Sequence, residues 1–100
     1  MSSAERVAQC TALIQPANDN IEKMMALYQN IYSSAREENG NMWDRIRNFW
    51  ETRLFPHYDQ IKILNSTQDP QIMREIDANT LVLIADLREM EAEFSQNETA

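Results

Sequence analysis

The side chains able to do chemistry are few in this sequence, and their spacing decides whether any can act together. His57, the only histidine, stands in the run Phe55-Pro56-His57-Tyr58. An imidazole titrates near neutral pH and can serve as a general base or a pH switch. No serine or cysteine is placed to be activated by it, so a partly buried structural histidine is expected. Glu89, Glu91 and Glu93 alternate in sequence. On a helix that spacing sends successive carboxylates to opposite sides, so they cannot converge on a metal, and the chain has no Glu-x-x-His pair. They read as a solvated charged face. Cys10 is the only cysteine. It falls on an apolar seam, where a thiol behaves as a small hydrophobe. With one glycine in the whole chain, a glycine-rich phosphate loop is excluded. The expectation is a protein that is not an enzyme and holds neither metal nor cofactor.

The elements that carry these residues are set by composition. The chain has 100 residues, of which 43% are hydrophobic, with one glycine and three prolines. That supplies one compact core, and too few turn formers for a sandwich, a barrel or a run of βα units. A single all-α domain over 1–100 is expected, with residues 1–3 and 95–100 frayed. Apolar positions Val7, Cys10, Ile14, Ala17, Ile21, Met24, Tyr28, Ile31 and Ala35 alternate by three and four, the seam of one long helix. Ser2 and Glu5 fit a capping box. Gly40 suits a left-handed helix end, and Asn41 could cap the next element. The stretch from Asn41 to Ile61 gathers both tryptophans with Phe49, Phe55 and Tyr58. Met42, Trp43, Ile46, Phe49, Trp50, Leu54, Tyr58, Ile61 and Leu64 make it amphipathic, with most of the aromatics on its buried face. Asp69-Pro70 starts a third helix, with a capping carboxylate before a proline at the first helical position. Its seam is Met73, Ile76, Thr80, Leu83, Leu87, Met90 and Phe94. Short connections make an antiparallel up-down-up bundle of three long helices the simplest packing. Kinks or breaks are expected near Pro16 and Pro56.

The net charge of −7 comes from 16 acidic and 9 basic residues, the latter dispersed. Nucleic-acid phosphate and anionic membrane surfaces are disfavoured partners. Nothing in the first ten residues resembles a secretory signal, and no run approaches a bilayer span. A cytoplasmic protein without a disulfide is expected.

Apolar residues beyond the seams suggest a binding surface. Asp77, Leu81, Ile84 and Arg88 form a second stripe on the third helix, and Phe49 and Phe55 lie outside the narrow stripe of the middle one. A wide core could absorb them all. Left exposed, they would form a patch for the apolar face of a partner helix, or for a second copy of the chain.

The order of features, with Trp43-Asp44 opening the second helix and "REIDANTLVLIADLREMEAE" in the third, resembles the FliT family of flagellar type III export chaperones. In the third helix Ile76, Asp77, Asn79, Leu83, Leu87 and Arg88 carry the likeness. Pro56 and the inserted Ala78 depart from the pattern, and the family's further C-terminal segment, which regulates access to the binding surface, has no counterpart after Phe94. The resemblance implies a bacterial cytoplasmic chaperone that holds the C-terminal helical region of the filament-cap protein for export. Leu81, Ile84, Phe49 and Phe55 would bury the partner helix, with Asp77 and Arg88 orienting it at the rim. The alternative from charge alone is an acidic inhibitor or immunity protein that blocks a basic site.

Overall fold

The structure, a computed structural model, describes the backbone of residues 2–38 and 40–99 and the side chains of residues 2–37 and 40–95. Among these the chain is all-helical. α1 spans Ser3–Glu38, α2 Asn41–Phe49, a π-helical turn Trp50–Leu54, α3 Phe55–Ile61 and α4 Pro70–Thr99. Helices α2 and α3 with the π turn form one middle helix over 41–61. The principal extents are 57 × 21 × 15 Å. The long one is close to the roughly 54 Å expected of a 36-residue helix such as α1.

At the start of α1 the Glu5 N–H donates to Ser2 Oγ at 3.2 Å, which is the hydroxyl half of the expected capping box. Pro16 lies within α1 and does not break it. It is exposed, so solvent can reach the Ala12 carbonyl that the missing N–H leaves free. Of the α1 seam, Cys10, Ala17, Met24, Ile31 and Ala35 are buried, Ile14, Ile21 and Tyr28 half-buried, and Val7 exposed.

Gly40 has φ 79° and ψ −137°. The positive φ was legible, but this ψ lies outside the left-handed helical well, in a region open essentially to glycine. Asn41 is the first helical residue rather than the cap. Gly40 holds the cap position without a side chain, its carbonyl accepting from the Asp44 N–H at 3.1 Å.

Pro56 does not split the middle helix. The turn before it widens instead, and the Phe55 N–H reaches back five residues to the Trp50 carbonyl. A π turn at this place relieves the crowding that a proline ring imposes on the preceding turn. After Ile61 the chain turns through 62–66 around buried Leu64. Asp69 then caps α4, its Oδ1 accepting from the Gln71 N–H at 3.0 Å, with Pro70 at the first helical position. The α4 backbone remains helical to Thr99, past the expected fraying at 95. Met1 and Ala100 lie outside the described residues.

Every seam residue of α4, from Met73 to Phe94, is buried. The core divides in two. One cluster gathers Met24, Ile31, Ile46, Leu54, Leu83 and Leu87; the other gathers Cys10, Ala17, Leu64, Met73 and Ile76. Between them in sequence runs a polar layer. His57 Nε2 meets Thr80 Oγ1 at 2.6 Å, Asn79 Nδ2 meets His57 Nδ1 at 3.0 Å, and Asn20 Nδ2 donates to Asp77 Oδ1 at 2.8 Å. Two surface ion pairs tie the middle helix to α4, Arg45 to Glu93 and Arg53 to Asp86, each at 2.6 Å. No helix is long and apolar enough to cross a membrane among the described residues.

Candidate functional site: an aromatic groove between α1 and the middle helix

One amphipathic helix cannot bury a ring on every flank, and the flank of the middle helix that turns toward α1 carries Trp43, Trp50 and Tyr58. Seven and eight residues separate them, about two helical turns, so they share one side. On α1, Tyr28 and Tyr32 are one turn apart and face them. The rings form a continuous ladder: Tyr32 to Trp43 at 5.0 Å between centroids, Tyr28 to Tyr32 at 5.9 Å, Tyr28 to Trp50 at 5.2 Å and Trp50 to Tyr58 at 5.4 Å. The interplanar angles of 34° to 56° lie between stacked and edge-on, a range in which ring pairs attract. All five rings are half-buried. The ladder therefore has one side against the core and one side open: Phe49 is buried, Trp43 and Trp50 pack half-buried against the larger cluster, and Phe55 is exposed.

Two concavities flank the shared rings of Tyr28, Tyr32 and Trp50. One, of about 220 Å³, adds Trp43, Arg47 and Glu51. The other, of about 460 Å³, adds Met25, Gln29 and Ser33. Burial raises the phenol values of Tyr28 and Tyr58 above the ordinary 10.0, and for Tyr28 the neighbouring Tyr32 and Tyr58 add to the effect. Both are thus neutral hydroxyls near neutral pH. The Tyr58 hydroxyl faces Met25 Sδ across the groove floor. Rings with a thioether between them suit apolar and aromatic anchors of a partner. Arg47 and Glu51, one turn apart, can orient what binds.

The residues expected to bind a partner are dispersed. Ile84 is 6% exposed and Phe49 7%, both within the core. Their burial corrects the second-stripe reading, because α4 packs against two helices and its buried arc takes in Ile84. Asp77 is half-buried and engaged by Asn20. Leu81 and Arg88 are exposed but no longer part of a continuous apolar stripe. Phe55 is exposed, its ring 6.5 Å from that of Trp50, at the edge of the groove. Thus Phe55 belongs with the aromatic ladder, and the other five do not line it. None of the five ladder rings belongs to the sequence reading of a binding surface: Tyr28, Trp43, Trp50 and Tyr58 are seam residues in it, and Tyr32, like Met25, is not singled out. The signal that could have found Tyr32 is its spacing of four from Tyr28.

His57 is buried, with both ring nitrogens bonded. Burial lowers its value from the ordinary 6.5, and the neighbouring Gln60 side chain partly opposes the shift. Among the described residues its partners are the Asn79 amide and the Thr80 hydroxyl, which also lies 3.0 Å from the Ile76 carbonyl. Comparison with known protein families, curated proteins and solved structures finds no match.

Proposed function

We propose that this chain is a small acidic binding protein that captures a helical segment of a partner protein in its aromatic groove, and that it acts as a cytoplasmic chaperone or adaptor rather than as an enzyme. The observation that carries the reading is the half-buried ladder Tyr28, Tyr32, Trp43, Trp50 and Tyr58, with a concavity on either side. Aromatic side chains at a concave surface are the residues that most often dominate binding energy. A groove between two helices also suits an amphipathic helix, which would lie along it as a further strand of the bundle.

The arrangement behind this groove is, we infer, the antiparallel up-down-up bundle. Arg45 with Glu93, Arg53 with Asp86 and His57 with Thr80 rise in number on one helix as they fall on the other. Tyr32 with Trp43 and Tyr28 with Trp50 do the same for α1 and the middle helix. Bends of the helix axes at Pro16 and Pro56 belong to the same inference.

Within this reading, the partner class is an exported protein of the flagellar type III kind. Support comes from the Trp43-Asp44 opening of α2, since Trp43 stands in the groove wall. The test is calorimetric titration with a synthetic peptide from the C-terminal helix of a flagellar filament-cap protein. Trp50→Ala is expected to weaken binding by about 30-fold, the loss of some 2 kcal/mol typical of an anchoring aromatic. Leu81→Ala, outside the groove, is expected to bind as the parent does. Loss with Leu81→Ala and not with Trp50→Ala refutes the groove. A wild type that ignores the peptide refutes the flagellar assignment.

A further inference from the structure

Two adjacent residues pin the short helix α3 to opposite neighbours. His57 bonds to Thr80 and Asn79 on α4, while the Tyr58 hydroxyl bonds to Met25 on α1. Helix α3 is the last seven residues of the middle helix, joined to α2 through the π turn and with Pro56 in its first turn. Its own hydrogen bonding gives it little independent stability. It is held by the imidazole and by Ile61, which packs against both apolar clusters.

One assignment of the hydrogen bonds satisfies every group around that imidazole. In it Thr80 Oγ1 donates its hydrogen to the Ile76 carbonyl at 3.0 Å and its oxygen accepts from His57 Nε2–H. Asn79 Nδ2 donates to Nδ1 at 3.0 Å, which occupies the lone pair of the second nitrogen. The ring is neutral and both of its positions are used. A proton arriving on Nδ1 would place N–H against the Asn79 NH₂, donor facing donor, at a site 1% exposed. Turning the Asn79 amide offers an oxygen, but it leaves an imidazolium buried without a counter-charge.

The charged groups around the site do not supply that counter-charge. On α3, Asp59 pairs with Lys62 at 3.4 Å, and Gln60 is neutral. On α4, Asp77 is bonded by Asn20 from α1, Asp86 by Arg53, and Glu75 by the Gln71 side chain at 3.2 Å. None of these carboxylates bonds to the ring among the described residues.

We propose that His57 is a proton-operated latch: neutral, it fastens α3 to α4, and a proton on the ring in mild acid leaves a charge buried without a counter-charge and so releases α3. Because Tyr58 is the next residue and its ring lies against Trp50, release alters the floor of the aromatic groove. The latch itself stands whether or not that groove binds a partner helix.

The test compares wild type with His57→Gln from pH 7.5 to 5.0. Glutamine can donate to Thr80 and accept from Asn79, and it cannot take up the proton. In the wild type the unfolding equilibrium constant, from urea titrations followed by tryptophan emission, is expected to rise by up to about 30-fold. That is the factor by which an unfolded imidazole of ordinary value near 6.5 gains protons at pH 5.0. His57→Gln is expected to show no such rise. Equal rises in both proteins, or a flat wild type, overturn the proposal. Should the variant fail to fold, the ring proton resonances of the wild type decide it, since they come from the only histidine. The ring is then expected to titrate below 6.5, with amide shifts first in α3 and around Asn79 and Thr80. Titration at or above 6.5, or shifts spread evenly over the chain, overturns it.

Discussion

Replacing Ile84 and Leu81 separately by alanine tests how the core is drawn. The two residues stand three apart on α4, and a sequence reading puts them on one stripe. In the structure Ile84 is 6% exposed, within the larger apolar cluster, whereas Leu81 is 49% exposed. Ile84→Ala removes buried carbons and leaves a cavity, a change that destabilises by about 2 to 5 kcal/mol. Its position under well-packed neighbours favours the middle of that range, about 3 kcal/mol. Leu81 has about half its surface in water already. Full burial of a leucine is worth about 1.5 to 3 kcal/mol, so truncation of a half-covered one should forfeit about 1 kcal/mol or less. At about 4 to 8 °C per kcal/mol for a domain of this size, thermal midpoints should fall by about 12 to 24 °C for Ile84→Ala and by no more than about 8 °C for Leu81→Ala. Circular dichroism melts with reversible cooling provide the measurement. Equal losses, or a larger loss at Leu81, would refute the drawing of the core with Ile84 inside and Leu81 outside. In the same assay Ile84→Glu should abolish the cooperative transition, because it buries a carboxylate with no partner.

Two further outcomes follow from local geometry. Gly40→Ala should destabilise by about 1 to 3 kcal/mol. A Cβ at Gly40 would meet nothing within 4 Å, so the whole loss would come from the backbone at φ 79°; denaturant titration showing no loss would mean that the turn relaxes freely. Tyr28 and Tyr58 hold their phenolic protons more tightly when folded than the ordinary 10.0. Their contribution to stability is whole below pH 10 and is lost as pH rises through the folded values. Stability should therefore decline above pH 10, and less steeply in the Tyr28→Phe, Tyr58→Phe double variant, as read from urea midpoints alongside phenolate absorbance.

The helices were legible because burial repeats along them with a period that the sequence records directly. Met73 to Phe94 shows this best, since even Thr80, polar but in register, is buried where the spacing put it. The start of α4 was equally plain, because Asp69 and Pro70 act on their own helix end without help from the rest of the chain. What a one-dimensional pattern could not give is the width of each buried arc. Helix α4 touches two neighbours, which draws in Ile84. The middle helix turns one flank to α1, which leaves Trp43 and Trp50 half-covered rather than buried. His57 was expected to be partly buried, and its partners lie more than twenty residues on, so nothing local announced that both nitrogens would be bonded. At Pro56 the missing N–H was evident, but the widened turn that accommodates it depends on how the chain continues on either side.

The polar layer also acts as an index mark for alignment. Apolar seams spaced by three and four look nearly the same to one another after a shift of seven residues, about 10 Å along the rod. Such a slip would keep oil against oil at most positions, yet it would strand the buried imidazole of His57, which finds both of its partners on α4. An orphaned buried group costs about 1 to 3 kcal/mol, a sizeable part of the 5 to 15 kcal/mol that holds a typical domain folded. One buried imidazole thus favours one alignment of the helices over others that hydrophobicity alone would accept.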